Sequence, residues 1–247
     1  MIQPGRGDIN PALVPKEPPI FSFAPLMVAI DTPVPVIVGA IVILILSLGI
    51  HEAAHGWVAL KCGDPTARDL GRITVNPIAH IDLFMTIILP LMCFYTIGFP
   101  FGGAKPVPVN FYNLRRPYRD MALVALAGPI SNFLIAIGIA LAMKLVVENG
   151  IYSMNDMGFD ILKKGLYLNL LLAAFNMLPI PPLDGSRVMA WLLPENIRPA
   201  FQRLESFGLL LVLGFVFFFP PGQVLLGNMM SAMYQWVKFI VELGGLW

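Results

Sequence analysis

The chain has 247 residues, 57% hydrophobic and 13% charged, with a net charge of +1 and a mean hydropathy of +0.76. A soluble domain carries roughly 25% charged residues, so this composition excludes an ordinary water-solvated fold and points to lipid as solvent. The near-zero charge gives no ground for a nucleic-acid partner, and Cys62 and Cys93, the 2 cysteines, exclude a disulfide framework.

In chain order, residues 1–33 read as a Pro-rich lead, with prolines where a signal peptide needs an apolar run. A bilayer crossing takes about 20 apolar residues in a helix. Thr32 to Ile50 is uncharged and continues into HEAAHGWVAL, which predicts one helix over Pro35 to Leu60. Phe84 to Ile97 is 14 residues long and contains Pro90, a length that suits a re-entrant or interfacial segment. Met121 to Met143 and Gly165 to Leu183 are uncharged and predict further crossings. Ser206 to Val237 is split by Pro220-Pro221-Gly222, a turn signal, and predicts a helical hairpin within residues 190–247. The expected fold is an all-α polytopic membrane protein whose transmembrane core is residues 34–189.

His51 and His55 are four residues apart, which on a helix sets them on one face about 6 Å apart along the axis. Two imidazoles at that spacing can bind one Zn²⁺, and Glu52 can reach a water on the metal. Three ionisable residues in a membrane helix oppose insertion unless a metal or partners engage them. A catalytic zinc needs a third protein ligand. Asp184 and His80 are the candidates. Asp184 is the better one, because Pro179, Pro181 and Pro182 just before it must unwind the helix, and irregular backbone at that depth lines a cavity. The plainer readings are a helix N-cap for Asp184 and a loop hydrogen bond for His80.

HEAAH in one apolar helix, GPISN in a second and NMLPIPPLDG closing a third resemble the site-2 proteases, intramembrane zinc metalloproteases. DPTARDLGRITVNPIAHID and FGGAKPVPVN resemble the compact prokaryotic branch, without PDZ or nucleotide-sensing domains. The resemblance implies one zinc per chain on His51, His55 and Asp184, Glu52 as general base, and Gly128, Asn132 and Asn176 near the site. It also implies a transmembrane protein or peptide as substrate, a lipid bilayer as surroundings, and residence in the cell membrane. Asn132 and Asn176 have amide N–H groups to offer a tetrahedral oxyanion, or they hydrogen-bond helices together.

If Asp184 and the two histidines share one ion, the helices bearing them must end at the same face. Phe84 to Ile97 then dips in and returns, giving five crossings and one re-entrant element. That face gathers most of the basic residues, among them Arg68, Arg72, Lys105, Arg115 and Arg116, and is therefore cytoplasmic, with the N-terminus outside. Gly71 to Val75 and Ala104 to Val109 read as short strands beside the site, one of which accepts a substrate strand, or else as a lid.

Overall fold

The computed structural model describes residues 32–89, 92–93 and 102–242. Its principal helices are α1 (Val34–Cys62), α2 (Pro117–Glu148), α3 (Met157–Asn176), α4 (Asp184–Leu192) and α5 (Pro220–Glu242). Proline in the first turn starts α1, where the missing N–H costs nothing. Gly63 ends it at φ 111°, with Gly63 and Asp64 N–H groups returning to Leu60 and Ala59 carbonyls. α2 also opens on proline, and the Asp120 carboxylate accepts the Arg116 N–H at 2.8 Å.

The side-chain pattern of α1 is the reverse of a soluble helix. Val34, Val38, Ile41, Val42, Leu46 and Ile50 face outward, while Ser47, Gly49, His51, His55 and Gly56 are buried. α2 repeats this, exposing Leu123, Ile130, Leu134, Leu141 and Leu145 and burying Asp120, Gly128 and Asn132. Apolar-out, polar-in is the distribution a bilayer selects. Both helices are long and apolar enough to cross one. At 29 and 32 residues they reach over 40 Å at ~1.5 Å per residue.

The Arg115 N–H donates to the Cys62 carbonyl at 3.1 Å, so α1 ends where α2 begins and the two run antiparallel. α2, α3 and α5 then close on a core of Ala136, Ala140, Met143, Leu166, Leu170, Val237 and Val241. The alanines let the backbones approach, as small residues do where helices pack in lipid. Between α4 and α5 the chain stays helical in short pieces from Arg198 to Phe218, breaks at Phe219 and restarts at Pro220.

The helical class of the expected fold holds, and its finer count is not reproduced. Of the described helices, α1 and α2 alone meet the measure of length and hydropathy for crossing. α3 is 20 residues long and carries Asp160, Lys163 and Lys164 in its first half. No described residue is in a strand. Gly71 to Val75 and Ala104 to Val109 do lie side by side, but Pro106 and Pro108 have no N–H to give a ladder, and the Arg72 side chain takes the carbonyls instead. Of the expected re-entrant stretch, Leu83–Ile88 forms a π-helical turn capped by Asp82, and positions 90, 91 and 94–97 lie outside the described residues. So do residues 1–31 of the lead and 243–247 at the other end.

Candidate metal centre

The centre is assembled by α1, α2 and the start of α4. His51 and His55 are on the buried face of α1, with Nε2 atoms 3.0 Å apart. Asp184 opens α4, and its Oδ2 lies 3.2 Å from His51 Nε2 and 3.4 Å from His55 Nε2. These three residues form the described group with the donors to hold a metal ion.

The hydrogen-bond network settles which imidazole nitrogens face inward. His55 Nδ1 lies 2.7 Å from the Val124 carbonyl, which only accepts, so Nδ1 carries a proton and, in the neutral ring, Nε2 a lone pair. Two asparagines set the tautomer of His51. Asn169 Nδ2 donates to the Gly165 carbonyl at 2.9 Å, which turns Asn169 Oδ1 toward Asn132 Nδ2 at 3.4 Å. Asn132 Oδ1 therefore faces His51 Nδ1, at 2.7 Å, and accepts its proton.

With both rings neutral, two imidazole lone pairs and a carboxylate oxygen converge here. Asp184 Oδ2 is buried and meets no donor in hydrogen-bonding geometry. Three electron-rich atoms so close repel unless a cation or a shared proton joins them. A tetrahedral ion with bonds of ~2.0–2.1 Å has ligand–ligand edges of about 3.3 Å, which the three observed separations match. The donor set fits zinc.

Two glycines make the approach possible. A Cβ on Gly128 would sit 2.5 Å from the Nε2 atoms of both His51 and His55. A Cβ on Gly185 would sit 2.2 Å from the Met177 carbonyl oxygen, so the residue after Asp184 must be glycine for α4 to start against the end of α3.

A cavity of about 690 Å³ opens on the centre, bordered by Glu52, Val107, Met121, Asn176 and Leu183. Glu52 Oε2 accepts the Val107 N–H at 2.7 Å. Asn176 borders the cavity and spends one N–H on the Leu172 carbonyl of its own helix at 3.0 Å. Asn132 is fully buried behind His51, with its amide engaged by Asn169, and does not reach the cavity. His80 stands apart from the metal group, its Nε2 donating to the Thr74 carbonyl at 2.9 Å.

Residues 39–161 match the model of peptidase family M50. YwhC of Bacillus subtilis is 37% identical over 201 residues, 78% of this chain and 85% of that protein. The chain belongs to peptidase family M50. This is the site-2 protease family of zinc-dependent peptide hydrolases, so the resemblance read from the motifs holds, as does the enzyme class. Rip2 of Mycolicibacterium smegmatis is 28% identical over 170 residues, 68% of this chain and 62% of that protein. Both relatives are named as zinc metalloproteases. No solved structure matches the chain.

The centre has parts that motif reading did not reach. Asn169 is a lone polar residue in an apolar stretch, a signal that could have found it, whereas Asn132 came from the GPISN motif. The Val124 carbonyl and the Val107 N–H are backbone groups with no signature in sequence.

Proposed function

We propose that this chain is an intramembrane zinc endopeptidase that hydrolyses transmembrane proteins near the cytoplasmic face, in regulated intramembrane proteolysis. The observation that carries the reading is the convergence of His51, His55 and Asp184 ligand atoms beside Glu52, in a cavity bordered by both apolar and polar side chains. His51, His55 and Asp184 are the zinc ligands, one ion per chain. Zinc, when bound, supplies the Lewis acidity that makes water nucleophilic near neutral pH.

The protein's own residues do the rest. Glu52 takes a proton from water as the water oxygen bonds to the scissile carbonyl carbon, and returns it to the amine as the C–N bond breaks. Asn176 borders the same cavity with one amide N–H uncommitted and is the donor for the developing oxyanion. Asn132 acts behind the site, as the acceptor that fixes the His51 ring.

The direction of the helices supports the topology. Residues 63–114 leave and rejoin the bundle at one end, since Arg115 bonds to Cys62. A connection that returns to its starting face makes no single crossing, which favours a segment that dips in and returns.

The test is cleavage of a transmembrane model substrate by the purified, zinc-loaded protein, with Glu52→Gln alongside. Wild type cuts and Glu52→Gln, with its zinc retained, does not. Cleavage that survives the substitution sinks the mechanism.

A further inference from the structure

Two polar tracts of the sequence lie outside the metal group, yet they meet beside it. Lys105 to Asn110 forms an extended strap, and the segment after α1 anchors it at both ends. At one end the Lys105 N–H donates to the His80 carbonyl at 2.8 Å, and Arg72 Nη2 donates to the Lys105 carbonyl at 2.9 Å and the Pro106 carbonyl at 3.5 Å. At the other the Asn110 N–H donates to Asp64 Oδ2 at 2.7 Å. Asp64 is fully buried and is itself fixed by Asn113 Nδ2 at 2.9 Å and Thr66 Oγ1 at 2.5 Å, both onto Oδ1.

Between the anchors the sequence reads Pro106-Val107-Pro108-Val109. Proline has no N–H, so between Lys105 and Val109 the strap offers one backbone donor, at Val107. That donor goes to Glu52 Oε2, at 2.7 Å.

We propose that the strap is a positioning device for the general base: Arg72 and Asp64 hold residues 105–110 so that the Val107 N–H fixes Glu52. One carboxylate oxygen is engaged and the other is presented to water. Glu52 has several rotatable bonds and, among the described residues, no other hydrogen-bond partner for its carboxylate; without the strap its carboxylate swings. Misplacing a reacting group by about 1 Å costs on the order of 10²-fold in rate. The inference rests on the peptidase reading, and Arg72, Asp64 and Val107 are positioning residues that act through Glu52.

The test compares wild type with Val107→Pro, which deletes the N–H from an already extended segment, and with Arg72→Ala and Arg72→Lys. Readouts are kcat and KM on a transmembrane model substrate, bound zinc, and amide hydrogen exchange across residues 102–110. Val107→Pro is expected to lose about 10- to 100-fold in kcat, with KM within about twofold and zinc unchanged. Arg72→Ala is expected to speed exchange in the strap and lower kcat, and Arg72→Lys to restore part of both. Should Val107→Pro fold poorly, the Arg72 pair decides. Wild-type kcat in Val107→Pro or Arg72→Ala overturns the proposal, as does a loss of kcat that tracks loss of zinc. A wild type that does not cut at all overturns the peptidase reading instead. The strap is then judged by exchange in Glu52→Ala, which must rise at residues 105–110 if Val107 is bound to Glu52.

Discussion

Asn132 Oδ1 lies 2.7 Å from His51 Nδ1, joining α2 to α1 across 81 positions of sequence. The contact holds the imidazole in the tautomer whose Nε2 faces the metal centre, and orients the ring. Removing an outer partner of this kind costs roughly 10- to 100-fold in metal affinity. Asn132→Ala is therefore expected to weaken zinc binding by that factor, read by competition with a chelator. It also leaves the Asn169 carbonyl oxygen without its donor. Unchanged affinity would show that the ring is held by packing alone.

Gly128→Ala sets two effects against each other. Alanine is better than glycine in a helix interior by about 1 kcal/mol, so propensity predicts a more stable α2. Yet its methyl would lie 2.5 Å from both ligand nitrogens, and neither ring can retreat while its Nδ1 is held from behind. The expected outcome is a folded helical protein by circular dichroism with its zinc lost. A variant that keeps full zinc would mean that α1 and α2 can move apart.

The parts of this architecture that were legible in sequence are those set by local periodicity. The spacing of His51 and His55 fixes their shared face whatever surrounds them, and the apolar runs of α1 and α2 announce their length. Asp184 was legible because prolines must break the helix before it. The rest depends on pairings between distant segments. The ties of Asp64 to Asn110 and Arg72 to Lys105 span 46 and 33 residues, and the Glu52 tie to Val107 ends on a backbone N–H. The alternation in Gly71 to Val75 read as a strand, but the prolines facing it leave no donors for a ladder. Asn132 gave no sign of whether it faced the cavity or the back of His51.

Asp64 gives the strap a dependence on acid. Burial raises its carboxyl, but hydrogen bonds from Thr66, Asn113 and Asn110 outweigh burial and hold it below the ordinary 3.8. A carboxyl depressed on folding contributes stability that is complete above its unfolded value and is lost as pH falls through the lower folded one. Asp64→Ala is expected to destabilise by about 1–3 kcal/mol near neutral pH, since it strands the Asn110 N–H. The difference between wild type and variant in thermal melts should shrink as pH drops below 3.8. A difference that stays constant through that range would mean that the Asp64 charge has no part in it.

The topology yields a prediction that does not involve catalysis. α2 begins at Pro117, beside the end of α1, and finishes at Glu148. A 32-residue apolar helix at ~1.5 Å per residue is long enough for the ~30 Å hydrocarbon core, so the loops at its two ends are expected on opposite sides of the bilayer. Tyr112 is exposed before α2, and Asn155 is exposed after it. With Cys62 and Cys93 changed to serine, Asn155→Cys is expected to react with a membrane-impermeant maleimide added to intact cells. Tyr112→Cys is expected to react only in inverted vesicles, where the cytoplasmic face is outward. Labelling of both from the same side would rule out α2 as a crossing. Labelling in the reversed sense would move the metal centre to the outer face, since His55 meets α2 at Val124, seven residues past Pro117 and so in the half of the helix near Tyr112.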